Sequence, residues 1–225
     1  MSDIWSKSRL AIILSRLGGF SEPKVSQEQY LMDSEIGATV LWNAYLLGDI
    51  DGKVIADLGC GTGLLGIGAL LLGTKHVFFI DVDKKALEIA KNNILKVKSE
   101  GYNLGKAKFI CRDIGKVENL RADIVLQNPP FGTKSKHIDT VFLEKAMEIS
   151  PVVYSFHKSE TKEFLERFAD KKSAKITHIW HYKFPLKATF AFHQRQIHRI
   201  KVSCFRFIVD NVRQKRMQLN SSKDF

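Results

Sequence analysis

Four consecutive residues, Asn128-Pro129-Pro130-Phe131, combine a side-chain amide, an imide carbonyl and an aromatic ring. They follow an apolar run, Ala122-Asp123-Ile124-Val125-Leu126-Gln127, which reads as a buried strand that two prolines end at once. In open α/β sheets the carboxyl end of such a strand is where ligands bind. An exocyclic amine such as N6 of adenine is a poor nucleophile, because its lone pair is delocalised into the ring. Two acceptors, the Asn128 side-chain oxygen and the Pro129 carbonyl, can take its two N–H bonds and turn the lone pair outward. Phe131 can stack on the base, worth about 1–3 kcal/mol by analogy with other stacked bases. Alone, the stretch is equally a proline turn after a strand.

Its company decides. Val54–Leu58 reads as a strand, followed by the glycine loop Gly59-Cys60-Gly61-Thr62-Gly63 and a buried helix from Leu64 to Leu72. Within it Gly61-Thr62-Gly63-Leu64-Leu65-Gly66 satisfies the dinucleotide fingerprint, with Asp81 about the expected distance beyond it. That match is weak by itself. Three features favour S-adenosylmethionine over a nicotinamide cofactor. Asp57 precedes the glycines, where a carboxylate can attract the methionine ammonium. Between Val54 and Thr74 there is no Lys or Arg to clamp a phosphate. Asp113 ends the next strand, where it can accept from an adenine amino group. The candidate cofactor residues are therefore Asp57, Gly59, Gly61, Gly63, Leu64, Asp81, Val82, Asp113, Ile114 and Asn128, with Gln29 and Tyr30 contributed by the N-terminal segment.

The elements that position these residues alternate as in a parallel sheet. His76–Ile80 reads as the second strand, Lys84–Lys96 as an amphipathic helix, Ala107–Cys111 as the third strand and the run before Asn128 as the fourth. Asp139–Ile149 reads as a helix, Pro151–Phe156 as the fifth strand, and a helix starting at Ser159 or Glu160 runs to Phe168. Ala174–Lys183 and His198–Val209 alternate and suggest an antiparallel pair at one edge, with Phe184, Pro185, Phe192 and His193 in the loop between them. Ahead of the first strand, Asp3–Leu17 and a second helix capped by Asp33 or Ser34 cover the cofactor cleft. One domain of 225 residues fits: capping helices over 1–50, a Rossmann-like core over 51–209 and a basic tail over 210–225.

Net charge bears on the substrate. A formal +11 implies an anionic partner, and nucleic acid suits it better than a membrane because no strongly amphipathic basic helix is evident. No apolar run reaches the length of a span. The first residues lack the charged-then-apolar form of a signal peptide. Cys60, Cys111 and Cys204 show no metal-ligand spacing, so no metal site is expected and reduced thiols in the cytoplasm are the expectation.

With Asp57 to Gly63, Asp81, Asp113 and Asn128 to Phe131 in order, the chain resembles a class I methyltransferase. Asn128 to Lys134, Tyr154-Ser155-Phe156-His157-Lys158, and Phe192-His193 before a basic strand are similar to the methyltransferase-like protein five family. Leu31-Met32-Asp33-Ser34 differs from its human-type members, which points to an archaeal-like branch. The resemblance implies methylation of N6 of an adenosine in small-subunit rRNA. It also implies a doubly wound, mostly parallel seven-stranded sheet of order 3-2-1-4-5-7-6, with its last two strands antiparallel. A small zinc-ribbon activator protein is expected to pair with the third-strand edge, Ala107–Cys111. Lys134, His157, Lys158, Phe192, His193 and Arg195 are the candidate substrate contacts. The competing readings keep the motif and change the acceptor, to guanine N2, DNA adenine N6 or a protein glutamine, or keep only a non-catalytic RNA-binding scaffold.

The segment Lys187–Lys223 holds Arg195, Arg199, Lys201, Arg206, Arg213, Lys215 and Arg216. RNA affinity should therefore fall steeply with salt, each neutralised phosphate adding roughly 0.7–0.9 to the log–log slope. Filter binding across a salt series should show a shallower slope after truncation beyond Val209, with cofactor binding intact. A slope unmoved by the truncation would place the RNA surface elsewhere.

Overall fold

The computed structural model of the chain describes residues 6–20, 32–130, 138–186 and 198–210. Seven strands form one sheet in the order β3-β2-β1-β4-β5-β7-β6: β1 Val54–Leu58, β2 His76–Asp81, β3 Lys106–Cys111, β4 Ile124–Gln127, β5 Val152–Lys158, β6 Ala174–Leu186 and β7 His198–Val209. β1 to β5 run parallel, and β7 is antiparallel to both β5 and β6. Strand order reverses between β1 and β4, so a crevice opens at their carboxyl ends.

Helices cover both faces. On one lie α1 (Lys7–Ser15), α2 (Ser34–Leu46), α3 (Leu64–Leu71) and α4 (Lys84–Ser99), burying Leu14, Leu41 and Ile67 against Ile55, Leu126 and Tyr154. On the other lie α5 (Ile138–Ile149) and α6 (Lys162–Lys171), where Phe142, Leu143 and Leu165 meet Val125, Val153 and Phe207. Local chemistry sets the helix starts. Ser6 caps α1 by accepting from Arg9 N, Asp33 caps α2 through Glu35 N and Ile36 N, and Asp83 caps α4 through Lys85 N.

Several boundaries differ from the sequence expectation, for tertiary reasons. β6 continues through Phe184 and Pro185 to Leu186, where a loop was expected, because β7 pairs with it as far as His198. β6 is an edge strand, where a proline costs no ladder bond. β5 extends past Phe156 to Lys158, since His157 and Lys158 pair with Ser203 and Val202. α4 runs to Ser99, with Lys96 and Lys98 in its last turn beside the negative end of the helix dipole. A short 3-10 turn, Ser159–Thr161, takes the place of the first turn expected for α6.

One buried ionic cluster ties the N-terminal helices to the last strands. Asp49, just after α2, accepts from the Tyr154 hydroxyl at 2.6 Å and from Arg206 Nε at 2.8 Å. The same guanidinium donates to Thr177 on β6 at 2.9 Å. Asp49 and Arg206 are 8% and 9% exposed, so neither charge has water to fall back on. Arg206→Met should lower stability by about 3–5 kcal/mol, because it strands a buried carboxylate. For a chain of this size that is a fall of roughly 6–20 °C in Tm. Adding Asp49→Leu should recover part of it. A loss under about 2 °C for Arg206→Met would show that the cluster carries no such weight.

Candidate active site at the carboxyl ends of the strands

The crevice is built around a carboxylate that caps a helix from outside. Gly63, the residue before α3, has no side chain to satisfy the helix's first N–H groups. Asp57 on β1 does it instead: its Oδ2 accepts from Gly66 N at 2.8 Å. A Cβ at Gly66 would collide with the Phe79 ring and crowd this oxygen, so the third glycine of the fingerprint is required by packing. Gly61 and Gly63 sit at φ 53° and 87°, in the left-handed region, which folds the loop back toward the end of β2.

There Asp81 fixes it. Asp81 Oδ2 accepts from Gly61 N and Oδ1 from Asp83 N, each at 2.8 Å. Gly59 N donates to the Ile80 carbonyl at 2.8 Å. A carboxylate has about four lone-pair positions, so Asp81 retains acceptor capacity for two ligand hydroxyls. Val82 beside it is 59% exposed, whereas Ile114 is buried. Asp113 is exposed and uses Oδ1 to hold Gly115 N at 2.8 Å, closing a 3-10 turn over Ile114–Lys116. Leu64 opens α3 and lies against Gly37 of α2, where a side chain would displace it.

Burial pushes both main carboxyls up. Asp57 rises from 3.8 to about 7, chiefly through desolvation, with the Gly66 bond opposing it and nearby Asp81 adding to it. Asp81 is raised for the same first cause, against three backbone hydrogen bonds. A crevice of acidic groups flanked by a backbone cradle suits a ligand with a cationic amine and neighbouring hydroxyls. S-adenosylmethionine meets that description with its ammonium, ribose diol and adenine amine, so the residues present fit it.

Across the same crevice, Asn128 follows directly after β4. Its Oδ1 is buried and has no hydrogen-bond partner among the described residues. Leaving an amide oxygen so costs on the order of 1–3 kcal/mol, which makes it a candidate acceptor for a ligand. Pro129 is buried and Pro130 half-buried.

The remaining expectations divide. His157 is 2% exposed and hydrogen-bonded inside the protein, so it does not face a substrate as expected. It points inward because it shares its strand face with Val153 and Ser155, against α5. Lys158, on the opposite face, is half-buried. Gln29, Tyr30, Phe131, Lys134, Phe192, His193 and Arg195 lie outside the described residues. Two contributors escaped the sequence reading. Asn93 on α4 donates to the carbonyls of Thr62 and Gly18, both at 3.0 Å, clamping the glycine loop from below. It stands among the polar residues of an amphipathic helix, and only its burial at 4% exposure distinguishes it. Gln127 was read as the end of an apolar strand, yet it opens a buried polar chain to Ser155.

Comparison with known proteins follows this geometry. The family described as methyltransferase small domain matches residues 21–149. The chain is 34% identical to the rRNA N(6)-adenosine-methyltransferase METTL5 of Danio rerio, over 86% of this chain and 94% of that protein. It is 37% identical to an uncharacterized protein of Methanocaldococcus jannaschii, over 89% and 93%. Among solved structures, a candidate RNA methyltransferase from Pyrococcus horikoshii superposes with a TM-score of 0.80 at 44% identity, covering 90% of this chain and 98% of that one.

The raised Asp57 carboxyl makes stability depend on pH with a definite sign. Between pH 3.8 and about 7 the folded protein keeps a proton that the unfolded chain releases, so stability falls as pH rises through that window. Asparagine keeps an acceptor for Gly66 N but carries no charge. Ligand-free Asp57→Asn should therefore be more stable than the parent at pH 8, by about 4 kcal/mol, with the gap closing near pH 4. Its cofactor affinity should fall at least tenfold. Thermal denaturation with and without cofactor reads both effects, and equal stability at pH 8 would refute the assignment.

Proposed function

Because this chain belongs to the methyltransferase small domain family, we propose that it transfers a methyl group from S-adenosylmethionine to N6 of an adenosine in RNA, most specifically in small-subunit rRNA. The observation that carries this reading is the buried Asn128 Oδ1, without a hydrogen-bond partner among the described residues, at the carboxyl end of β4, the strand next to the one that ends at Asp57. Relatives aligned over nearly all of the chain are named for the same reaction on rRNA, which supports the substrate class. The net charge of +11 agrees with a polyanionic substrate.

S-adenosylmethionine supplies a methyl group already activated by its sulfonium, so the protein's work is to place a nitrogen in line with it. Asp57 attracts the ammonium, Asp81 holds the ribose hydroxyls and Asp113 accepts from the adenine amine, with Val82 and Ile114 as apolar flanks. Gly59, Gly61, Gly63 and Leu64 shape the cradle, and Gln29 and Tyr30 add to it from the N-terminal segment. Asn128 Oδ1 and the Pro129 carbonyl accept the two N–H bonds of the target amine. That pulls its lone pair out of conjugation and stabilises the positive charge that grows on nitrogen. Pro129 and Pro130 contribute rigidity, and neither brings an N–H that would compete for the acceptors. Phe131 stacks on the base, which must leave its helix or loop to reach the crevice. No base is needed before transfer, since the amine proton becomes acidic only once nitrogen is cationic.

RNA is held by Lys134, Lys158, Phe192, His193 and Arg195, and the reaction takes place in the cytoplasm. At the far edge, β3 has one side unpaired among the described residues, with Ala107, Phe109 and Ile110 half-buried between exposed Lys106, Lys108 and Cys111. This edge is the site where a small zinc-ribbon activator adds a strand.

Asn128→Ala removes an acceptor whose value grows as the amine becomes charged. Its effect should fall on kcat, by roughly two to three orders of magnitude for about 2.7–4 kcal/mol. Cofactor affinity, read by calorimetry, should stay within a few-fold of the parent. Asp81→Ala should do the reverse first, weakening cofactor binding at least tenfold. Near-parental turnover by folded Asn128→Ala on an RNA with a mapped N6-methyladenosine would overturn the mechanism.

A further inference from the structure

Behind Asn128 runs a buried polar chain that the transfer reaction itself does not use. Gln127 Nε2 donates to Ser155 Oγ at 2.8 Å. Ser155 Oγ lies 2.7 Å from His157 Nε2, and His157 Nδ1 faces Asp139 Oδ2 at 3.9 Å. Gln127 and Ser155 are fully covered, and the chain is set among Val125, Val153 and Phe205, the last edge-on to the imidazole at 6.0 Å. A polar chain in such surroundings costs desolvation that apolar side chains would avoid. It also remains incomplete, since Gln127 Oε1 is buried without a partner among the described residues. Stability alone gives it no reason to be there.

Its donors and acceptors run in one direction. The Ser155 oxygen accepts from Gln127, so its own hydrogen is free to go to His157 Nε2. That leaves the imidazole proton on Nδ1, turned toward the Asp139 carboxylate. Burial pushes the imidazole down to about 3, so the ring is neutral at working pH. At 3.9 Å its approach to Asp139 is then neither an ion pair nor a hydrogen bond, and the chain ends at His157.

One end of the chain falls at an informative place. Gln127 is the last residue of β4 and is bonded to Asn128. We propose that His157 is a positioning residue for Asn128: with Ser155 it braces Gln127, and through it the strand end that presents the amide. The brace deepens the proposed function and rests on it for the meaning of turnover. The structural link it describes stands apart from the identity of the substrate.

Two variants test it. His157→Phe keeps a ring and removes the chain, and His157→Gln restores an acceptor for Ser155. In His157→Phe, kcat on RNA should fall about ten- to a hundredfold, the scale of a sub-ångström to ångström misplacement. Cofactor affinity should move less than twofold. His157→Gln should regain part of the kcat. Hydrogen exchange followed by mass spectrometry should show faster exchange over residues 124–130 in His157→Phe, and less so in His157→Gln, with β2 and β3 unchanged. Parental exchange over 124–130 in folded variants would overturn the brace. So would exchange rising equally throughout the sheet, which would mark a general packing defect. If the parent protein fails to methylate adenosine, the functional reading falls while the exchange data still decide the brace. If His157→Phe does not fold, Ser155→Ala, which cuts the chain at its middle, carries both measurements.

Discussion

The bond from Gly66 N to the Asp57 carboxylate is the contact on which the crevice depends. It joins the central strand to the helix that follows it, and it supplies the cap that Gly63 cannot. A short helix that is apolar all round has little reason to start at a defined residue, and this bond gives α3 its start. Once α3 is fixed, the glycine loop has a defined length to cover. Its left-handed turns then bring Gly61 within 2.8 Å of Asp81, so the ends of β1 and β2 are locked to one another. Asn93 holds the same loop from the α4 side, through the Thr62 carbonyl.

Using carboxylates for this purpose has an electrostatic consequence. Asp57 and Asp81 are both largely removed from water; the charge of Asp81 adds to the cost of charging Asp57, and that of Asp83 to the cost of charging Asp81. The backbone N–H groups that they accept offset part of that cost, and a bound cation offsets more. Part of the protein's folding free energy is thus held back at the site and recovered on cofactor binding. The opposite arrangement appears at the Asp49–Tyr154–Arg206 cluster, where a buried carboxylate has its cation built in. One cluster is complete without a ligand and stitches the domain together; the other is left short of positive charge, and it is the one that opens on the crevice.

Asn128 belongs to the second kind of group. Its oxygen is buried without a partner among the described residues, at a strand end where backbone direction and two prolines determine what can approach it. The residues behind it are polar where the rest of that layer is apolar, and they connect β4 to β5. The sheet therefore offers the crevice a firm floor on the Asp57 side and a braced edge on the Asn128 side.

Much of this was legible in the chain itself, because the information was local. Apolar runs of strand length, glycines at short spacing and carboxylates after consecutive strands need no partner to be read. They located β1 to β4, the cap expected at Asp33 or Ser34, and the candidate residues from Asp57 to Asn128. The motifs around Asn128 and Tyr154 pointed to the family, and with it to the strand order. Tertiary structure decided what depended on neighbours distant in sequence. β6 absorbed Phe184 and Pro185 because β7 offered it a continuous edge, an opportunity that no local propensity records. Asp57 proved to be a helix cap, since its target, Gly66, comes within reach only after the loop has folded. His157, read as a surface contact from its place in a motif, turned inward because strand parity and α5 placed it beside Ser155. A sequence states that a histidine follows a strand; which side of the sheet it faces, and what waits there, follows from register and packing.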